Sequence, residues 1–274
     1  MKTRTWYSLM MGLPFFLISC GGGGSGQESE QSDGTDAQEM QQEEGKITLT
    51  PLTDSPKYPD ATLAMNSPAA DATVPAGNVN FDFSVAGYEL GVQTADAAEK
   101  GMANSGKGQH IHLILNNGPY SAHYEPTFGK ELEDGHYVAL AFLSRSYHES
   151  VKNPAAGVVS QFVVGDGEHT MVDLEAPHMF YSRPKGEYVG ADTKKVLLDF
   201  YLLNCDLSEG GYSVKATING QEFTITDWVP HVMEGLTIGE NTIKLELFDA
   251  EGNSVSSPFN PVERKVMLKE AMPQ

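Results

Sequence analysis

Cysteine and basic residues are both scarce in this 274-residue sequence. Its two cysteines, Cys20 and Cys205, are too few for the disulfide framework that stabilises many small secreted domains. Lysine and arginine number 18 against 37 aspartates and glutamates, which gives a formal net charge of −19. Because nucleic-acid binding needs a basic footprint, the sequence predicts no DNA or RNA partner.

Long hydrophobic runs are missing too, except at the N-terminus. A short basic segment precedes an apolar run at 6–18, which is too short for a permanent transmembrane helix and suits the core of a signal peptide. The run ends in Leu-Ile-Ser-Cys20, which resembles the bacterial lipobox. This resemblance implies a lipoprotein signal peptide at 1–19 and a lipid anchor, such as palmitate, on Cys20. The alternative is an ordinary cleaved signal peptide with an incidental cysteine.

The segment that follows, 20–46, has almost no apolar residues and contains seven carboxylates. It cannot bury enough surface to offset the entropy of ordering, so we predict a flexible, disordered acidic linker. Gly21 follows Cys20, where an aspartate would resemble an inner-membrane retention signal. The predicted location is therefore the bacterial cell envelope, and within it the outer membrane more than the inner.

Sequence signatures of catalysis are also missing. The mature region has no phosphate-binding glycine loop, no Gly-x-Ser-x-Gly nucleophile motif and no Cys-x-x-Cys or His-Glu-x-x-His metal motif. Cys205 follows the apolar run 196–203, where a lone cysteine is usually a small buried hydrophobe. These features favour a protein without enzymatic activity.

An internal repeat organises the rest of the chain. Residues 79–90 align with 196–207 at an offset of 117, and the turn Asn117-Gly118 aligns with Asn219-Gly220 at an offset of 102. The offset shrinks because copy one carries an extra loop at roughly 92–107. Such a repeat indicates two related structural units.

Both copies consist of short alternating or continuous apolar runs separated by glycine, proline, asparagine and aspartate, which is typical of β-strands. In copy two the Asn219-Gly220 pair stands between two such runs, a strong hairpin signal. Helical periodicity is hard to find after residue 45. We predict an all-β protein with two tandem immunoglobulin-like β-sandwich domains, at 47–167 and 176–269.

Two stretches carry a family resemblance. Residues 66–81 place a proline near the first strand and Thr-Val before the next, and they resemble the start of many bacterial Ig-like modules. Through 108–115, Gly-Gln-His-Ile-His-Leu-Ile-Leu, copy one is similar to a family of exported bacterial domains of unknown function with a His-rich strand before a hairpin. Over both domains the chain resembles lipoproteins of the Bacteroidota. These resemblances imply the sandwich fold and export, and no activity.

The hairpin of copy one carries the most informative side chains. If Asn117-Gly118 is its two-residue turn, His112 lies opposite His123 and His110 opposite Glu125. All four side chains then share one face, close enough for the imidazoles to hold one ion. Three histidines and a carboxylate suit zinc or copper. Two histidines outside this set, His136 and His148, are further candidate ligands.

The alternative is that Ile111, Leu113 and Leu115 face the core and leave the histidines as ordinary exposed strand residues. Superposing the turns of the two copies places His112 at Val214, an apparently inward position, so the copies disagree about the inner face. One explanation is that copy one buries both faces of this hairpin, the second against copy two or under the 92–107 loop.

Arg145 stands at a strand end in a second cluster, residues 142–150. Its guanidinium is a candidate to recognise an anionic ligand through paired hydrogen bonds. The alternative is an ion pair with Glu149 or with a carboxylate of the other domain. Trp228 is likewise either a ligand-stacking platform or a core side chain between sheets.

Two functions follow. The first is a membrane-anchored exported lipoprotein that acts as a non-enzymatic binding module for an envelope protein or a glycan. The second is a metal-binding protein that uses the histidine cluster to hold zinc or copper. The first depends on the architecture and the missing catalytic motifs, and the second depends on the register of one hairpin.

Overall fold

The computed structural model of the protein describes residues 45–167 and 169–271. The predicted signal peptide, Cys20 and nearly all of the acidic linker lie outside these residues. Within them the chain forms seventeen strands, one four-residue helix and two short 3-10 turns, which confirms the all-β prediction. No helix in the described ranges is long and apolar enough to cross a membrane.

The strands of the first half are β1 Thr48–Pro51, β2 Thr62–Ser67, β3 Thr73–Val74, β4 Gly77–Ala86, β5 His110–Leu115, β6 Ser121–His123, β7 Thr127–Leu132, β8 Gly135–Ser144 and β9 Gly157–Val164. Those of the second half are β10 His178–Arg183, β11 Glu187–Val189, β12 Val196–Leu203, β13 Ser213–Ile218, β14 Gln221–Ile225, β15 His231–Glu234, β16 Gly239–Phe248 and β17 Val262–Lys269. The helix α1 is Ala97–Lys100, and the 3-10 turns are Pro154–Ala156 and Gly190–Thr193.

Four sheets form two sandwiches whose strand orders correspond, except that the second has β1 as an additional edge strand. The first sandwich packs the sheet β2-β4-β7 against β3-β9-β8-β5-β6, and the second packs β1-β15-β12-β10 against β11-β17-β16-β13-β14. In each sandwich the short edge strand of the five-stranded sheet runs parallel to its neighbour, β3 to β9 and β11 to β17. The other strand pairings are antiparallel. Two immunoglobulin-like sandwiches in tandem are therefore the fold.

The first strand does not belong to the first sandwich. β1 pairs antiparallel with β15 of the second sandwich, and Ile47, only 4% exposed, packs into the second sandwich's core. The predicted first domain began at residue 47, so the structure moves its first strand to the other unit. Pattern alone cannot assign a short edge strand such as β1 to a sheet, because its partner lies at least 180 residues away in the sequence.

The predicted register of the copy-one hairpin is wrong by one residue. Asn116 and Asn117 both have positive φ, 50° and 52°, and the Gly118 amide donates to the Leu115 carbonyl at 2.8 Å. These are the marks of a type I′ turn centred on Asn116-Asn117, not on Asn117-Gly118. This turn alone would place His123 opposite His110, but the strands pair His123 with Ile111 and not with His112, so one extra residue lies between the turn and β6.

Placing the turn at Asn116-Asn117 also removes the disagreement between the copies about which face of the hairpin points inward. Asn219 is the first turn residue in copy two, where Ile218 pairs with Gln221 as the sequence predicts. Asn116 and Asn219 make equivalent contacts: each side-chain oxygen accepts the backbone amide of the neighbouring long strand, from Val138 at 2.7 Å and from Thr242 at 2.9 Å. With these asparagines superposed, the inward positions of both hairpins coincide.

Copy one buries both faces of its five-stranded sheet. Ile111 and Leu113 face the core of the first sandwich. On the opposite face, Ile114 and Phe142 pack in a cluster with aromatic side chains of the second sandwich; these are Phe180, Tyr201 and Phe259. Each such side chain contributes about 1.5 to 3 kcal/mol when fully buried. The outward face of β5 is thus an interior surface between the sandwiches.

Candidate metal centre between the two sandwiches

His110 and His112 lie on the outward face of β5, which the second sandwich covers. Because side chains alternate along a strand, they share that face with Ile114. Both imidazoles are completely buried. The His112 ring stacks on Tyr120 with 3.6 Å between ring centroids, and its Nδ1 lies 3.5 Å from the hydroxyl of Ser182 on β10.

His148 reaches the same place from the turn that follows β8. This residue has a φ of 71°, and its amide donates to the Arg145 carbonyl at 2.8 Å, which closes a tight turn. The extra loop of copy one holds that turn, since Ser146 exchanges hydrogen bonds with Thr94 at 3.0 and 3.2 Å. The loop therefore fixes the position of the third imidazole.

One nitrogen from each of the three rings lies within 4.8 Å of the other two. His110 Nε2 is 2.9 Å from His112 Nε2 and 3.2 Å from His148 Nδ1. The other nitrogen of His110, Nδ1, is 2.8 Å from the Gly108 carbonyl. Since a carbonyl only accepts, Nδ1 carries the proton and the Nε2 lone pair points at the other two rings.

The surroundings keep all three rings neutral. Burial lowers the pKa of His110 to about 4, and Arg183 adds to the effect. Burial also places the pKa values of His112 and His148 well below the usual range, with further contributions from neighbouring histidines, Arg183 and Lys185. Neutral imidazoles are the form that binds metal ions.

The donor set fits a transition-metal ion. At metal to nitrogen distances near 2.0 Å, tetrahedral donors stand about 3.3 Å apart, close to the spacings from His110 to the other two rings. The hydrogen bond from His110 Nδ1 to a carbonyl is the outer contact that metal-bound histidines usually make. A fourth donor is near, because the Tyr120 hydroxyl lies 3.3 Å from His148 Nδ1.

The remaining predicted ligands lie elsewhere. His123 is turned to the other face of the sheet, where its ring stacks on Phe128 at 3.3 Å and its Nε2 contacts the Ser121 hydroxyl. Glu125 is exposed in the bend after β6. His136 pairs its Nε2 with Gln161 at 3.0 Å. The structure thus joins His110 and His112 to His148, and to none of these three residues.

Arg145 is occupied by internal partners. Its Nη1 contacts Glu149 at 2.8 Å and donates to the Ser150 carbonyl at 3.0 Å, and its Nη2 donates to the Pro56 carbonyl. The side chain is only 5% exposed. The predicted alternative, an ion pair with Glu149, describes this residue, and its two terminal nitrogens are not free for a ligand.

A groove of about 430 Å³ lies beside Arg145 and is lined in part by Tyr58, Asn153 and Trp228. Two of its side-chain donors are already paired: Asn153 Nδ2 contacts three backbone carbonyls, and the Trp228 indole donates to the Phe200 carbonyl at 2.9 Å. The indole also packs edge-on against Tyr201. Trp228 is therefore mainly a packing residue.

Cys205 agrees with the expectation of a small apolar side chain. It is a free thiol packed against the core of the second sandwich. Burial raises the pKa of its thiol to about 12, so it stays protonated and unreactive near neutral pH.

Sequence reasoning missed the residues that surround the centre. Tyr120 and Ser182 contact His112. Arg183 brings positive charge near all three rings, and Lys185 near His112 and His148. Ser182, Arg183 and Lys185 stand within four residues of one another in copy two, with Pro184 between the two cations. That cluster of polar residues at the end of β10 was the available signal.

Comparison with known proteins gives likeness of fold only. No protein-family model and no curated protein matches the chain. Fibronectin(III)-like modules of CbhA from Clostridium thermocellum match at 14% identity over 77% of this chain and 95% of theirs, with a TM-score of 0.28. SGBP-B from the mixed-linkage glucan utilization locus of Bacteroides ovatus, solved with a heptasaccharide, matches at 9% identity over 76% and 70%, with a TM-score of 0.24. At these values neither likeness carries a functional argument.

Proposed function

We propose that this protein is an exported, lipid-anchored, non-enzymatic binding module whose ligand is a zinc or copper ion. The observation that carries the proposal is the convergence of one nitrogen each from His110, His112 and His148 in a buried site. Imidazole nitrogen suits both ions. Three protein ligands would leave one position for the Tyr120 hydroxyl or an outside ligand.

The positions of the rings support binding without large rearrangement. His110 and His112 lie on β5, an interior strand paired on both sides by β8 and β6, and the His148 turn is held by Thr94. Ligands on fixed elements lose little entropy when the ion binds. The site therefore has the preorganisation that a metal centre needs.

The proposal is tested by metal titration of the soluble region starting at residue 45. We expect one equivalent of Zn²⁺ or Cu²⁺ to bind the wild-type protein. In His148→Ala the affinity should fall at least about 100-fold, because one of three ligands is lost. Isothermal titration calorimetry and metal analysis after gel filtration measure both quantities.

The matched control is His123→Ala, which removes a histidine from the opposite face of the same hairpin. It should bind metal like the wild type. Equal losses in both variants would contradict the site described above, and a wild-type protein that retains no metal would refute the proposal. Circular dichroism of each variant checks that the fold is intact.

The proposed envelope location depends on Cys20. A Cys20→Ser variant should lose palmitate labelling and move from the membrane pellet to the soluble fraction, because the lipid anchor would have no attachment point. Cys205→Ser is the matched control and should stay in the pellet. A Cys20→Ser protein that keeps its label and its membrane association would show that another residue or segment anchors the chain.

The alternative ligand, an envelope protein or a glycan, stays a prediction of the sequence. Such a ligand would bind in the groove beside Arg145, but the Asn153 and Trp228 side chains there already donate their hydrogen bonds within the protein. We therefore centre the proposal on the metal.

A further inference from the structure

Four cations lie close enough to act on one another in a protein of net charge −19. They are Arg183, Lys185 and Arg264, which surround Tyr120 and the turn before it, and Lys130 of β7. Among the described residues none of them has a carboxylate within 4.0 Å. By contrast, six lysines elsewhere in the described residues each have a carboxylate partner. A cluster of unpaired cations is unexpected where carboxylates outnumber basic residues.

Three of the cations surround the β5–β6 turn and Tyr120. Lys185 Nζ donates to the Tyr120 carbonyl at 2.6 Å and lies 4.3 Å from the ring centroid. Arg183 Cζ lies 5.3 Å from the same centroid. Arg264 Nη2 donates to the carbonyls of Asn117 and Gly118, both at 2.8 Å. All three belong to the second sandwich, and they bring their positive charge against one turn of the first sandwich.

The charges oppose one another without a counterion. Burial lowers the pKa of Lys185, and Arg183, Arg264 and Lys130 lower it further, in that order. The positive charges therefore act on one another over short range, and repulsion of this kind is unfavourable in a partly buried site. An anion placed among them would relieve it.

Hydrogen-bond donors in the cluster are also unused. Arg183 is only 6% exposed, yet its Nε has no partner, and neither has Nη1 of Arg264. Buried donors are nearly always paired in folded proteins. Lys185 is half-buried and has N–H groups to spare beyond its bond to Tyr120. A bound oxyanion would accept hydrogen bonds from these unpaired donors and would compensate the positive charge around it.

We propose that Arg183, Lys185 and Arg264, with Lys130 beside them, form a binding site for a phosphate-type oxyanion. Several cations in one patch favour a doubly charged anion over a carboxylate, because each added negative charge gains from all of them. Guanidinium forks match the oxygen spacing of phosphate. The site uses none of the three metal-ligand histidines, so it goes beyond the proposed metal function.

The test is calorimetric titration of the metal-free soluble protein with inorganic phosphate, sulfate and acetate at constant ionic strength. Wild type should bind phosphate, and acetate should bind at least about tenfold more weakly. Lys185→Gln should weaken phosphate binding by roughly tenfold or more, the loss expected for one charge-assisted hydrogen bond. Lys215→Gln, which removes an exposed lysine from a hairpin of the second sandwich, is the control and should bind like wild type.

Lys130→Gln is a second variant in case Lys185→Gln folds poorly, and it should weaken phosphate binding in the same direction. Equal heats from phosphate and from sodium chloride of the same ionic strength, or equal affinity in Lys185→Gln and Lys215→Gln, would overturn the proposal. Repeating the titration with Zn²⁺ separates the two sites. Phosphate binding by a protein that holds no metal would refute the metal proposal alone.

Discussion

The metal-free protein should lose stability steeply when the pH falls from 6.5 to 4. His110 has a folded-state pKa of about 4 against about 6.5 for a free imidazole. Below pH 6.5 the unfolded chain therefore binds a proton on His110 that the folded protein does not bind, and the free energy of unfolding falls until the pH reaches the folded-state pKa. For His110 alone the loss is roughly 3 kcal/mol, and His112 and His148 act in the same direction.

The measurement is urea unfolding with a chelator present at several pH values between 4 and 7.5. Glu149 opposes the trend, because burial raises the pKa of its carboxyl to about 7 and its folded form is favoured as the pH falls. The comparison is therefore between variants. His110→Gln should show a shallower loss of stability than wild type, and His136→Gln, outside the cluster, should keep the wild-type slope. Parallel slopes in all three proteins would contradict the assignment.

The same histidines show how far sequence reasoning reaches. Ile111, Leu113 and Leu115 alternate with His110 and His112, and this pattern correctly predicts a strand with two different faces. The register of the hairpin depends on which two residues form the turn, and Asn-Asn and Asn-Gly are both good turn sequences. Moving the turn by one residue shifts the pairing by two and leaves His123 on the face of His112, so it is the extra residue between the turn and β6 that turns His123 to the opposite face. Superposing Asn116 on Asn219 would have made the copies agree, but no local pattern marks that extra residue.

Other features depend on contacts between distant segments, which local pattern does not encode. His148 completes the centre because a turn with positive φ, held by Thr94 of the extra loop, points it back to β5. β1 joins the second sandwich through a partner near the far end of the chain. The repeat, by contrast, predicts both sandwiches, since each copy has to bury an alternating apolar face.

Replacing Asp199 with alanine should destabilise the protein by about 3 kcal/mol. Asp199 is completely buried on β12 of the second sandwich, where its Oδ1 accepts from Lys152 Nζ at 2.7 Å and its Oδ2 from the Ser150 amide at 2.8 Å. Both donors belong to the first sandwich. Removing one partner of a buried pair leaves the other charge and an amide uncompensated, which typically costs 3 to 5 kcal/mol. We expect the lower end, because the Lys152 side chain is 17% exposed.

Urea unfolding at pH 7 measures this loss, and two further variants identify its cause. Asp199→Asn keeps an acceptor for the Ser150 amide and removes only the charge, so its loss should be smaller than that of Asp199→Ala. Glu222→Ala breaks an exposed pair with Lys215, 3.5 Å apart, and should change stability little. If Asp199→Ala were no less stable than Glu222→Ala, the bridge between the sandwiches would contribute nothing. If it is much less stable, the pair holds β12 of the second sandwich against the segment of the first sandwich that follows His148.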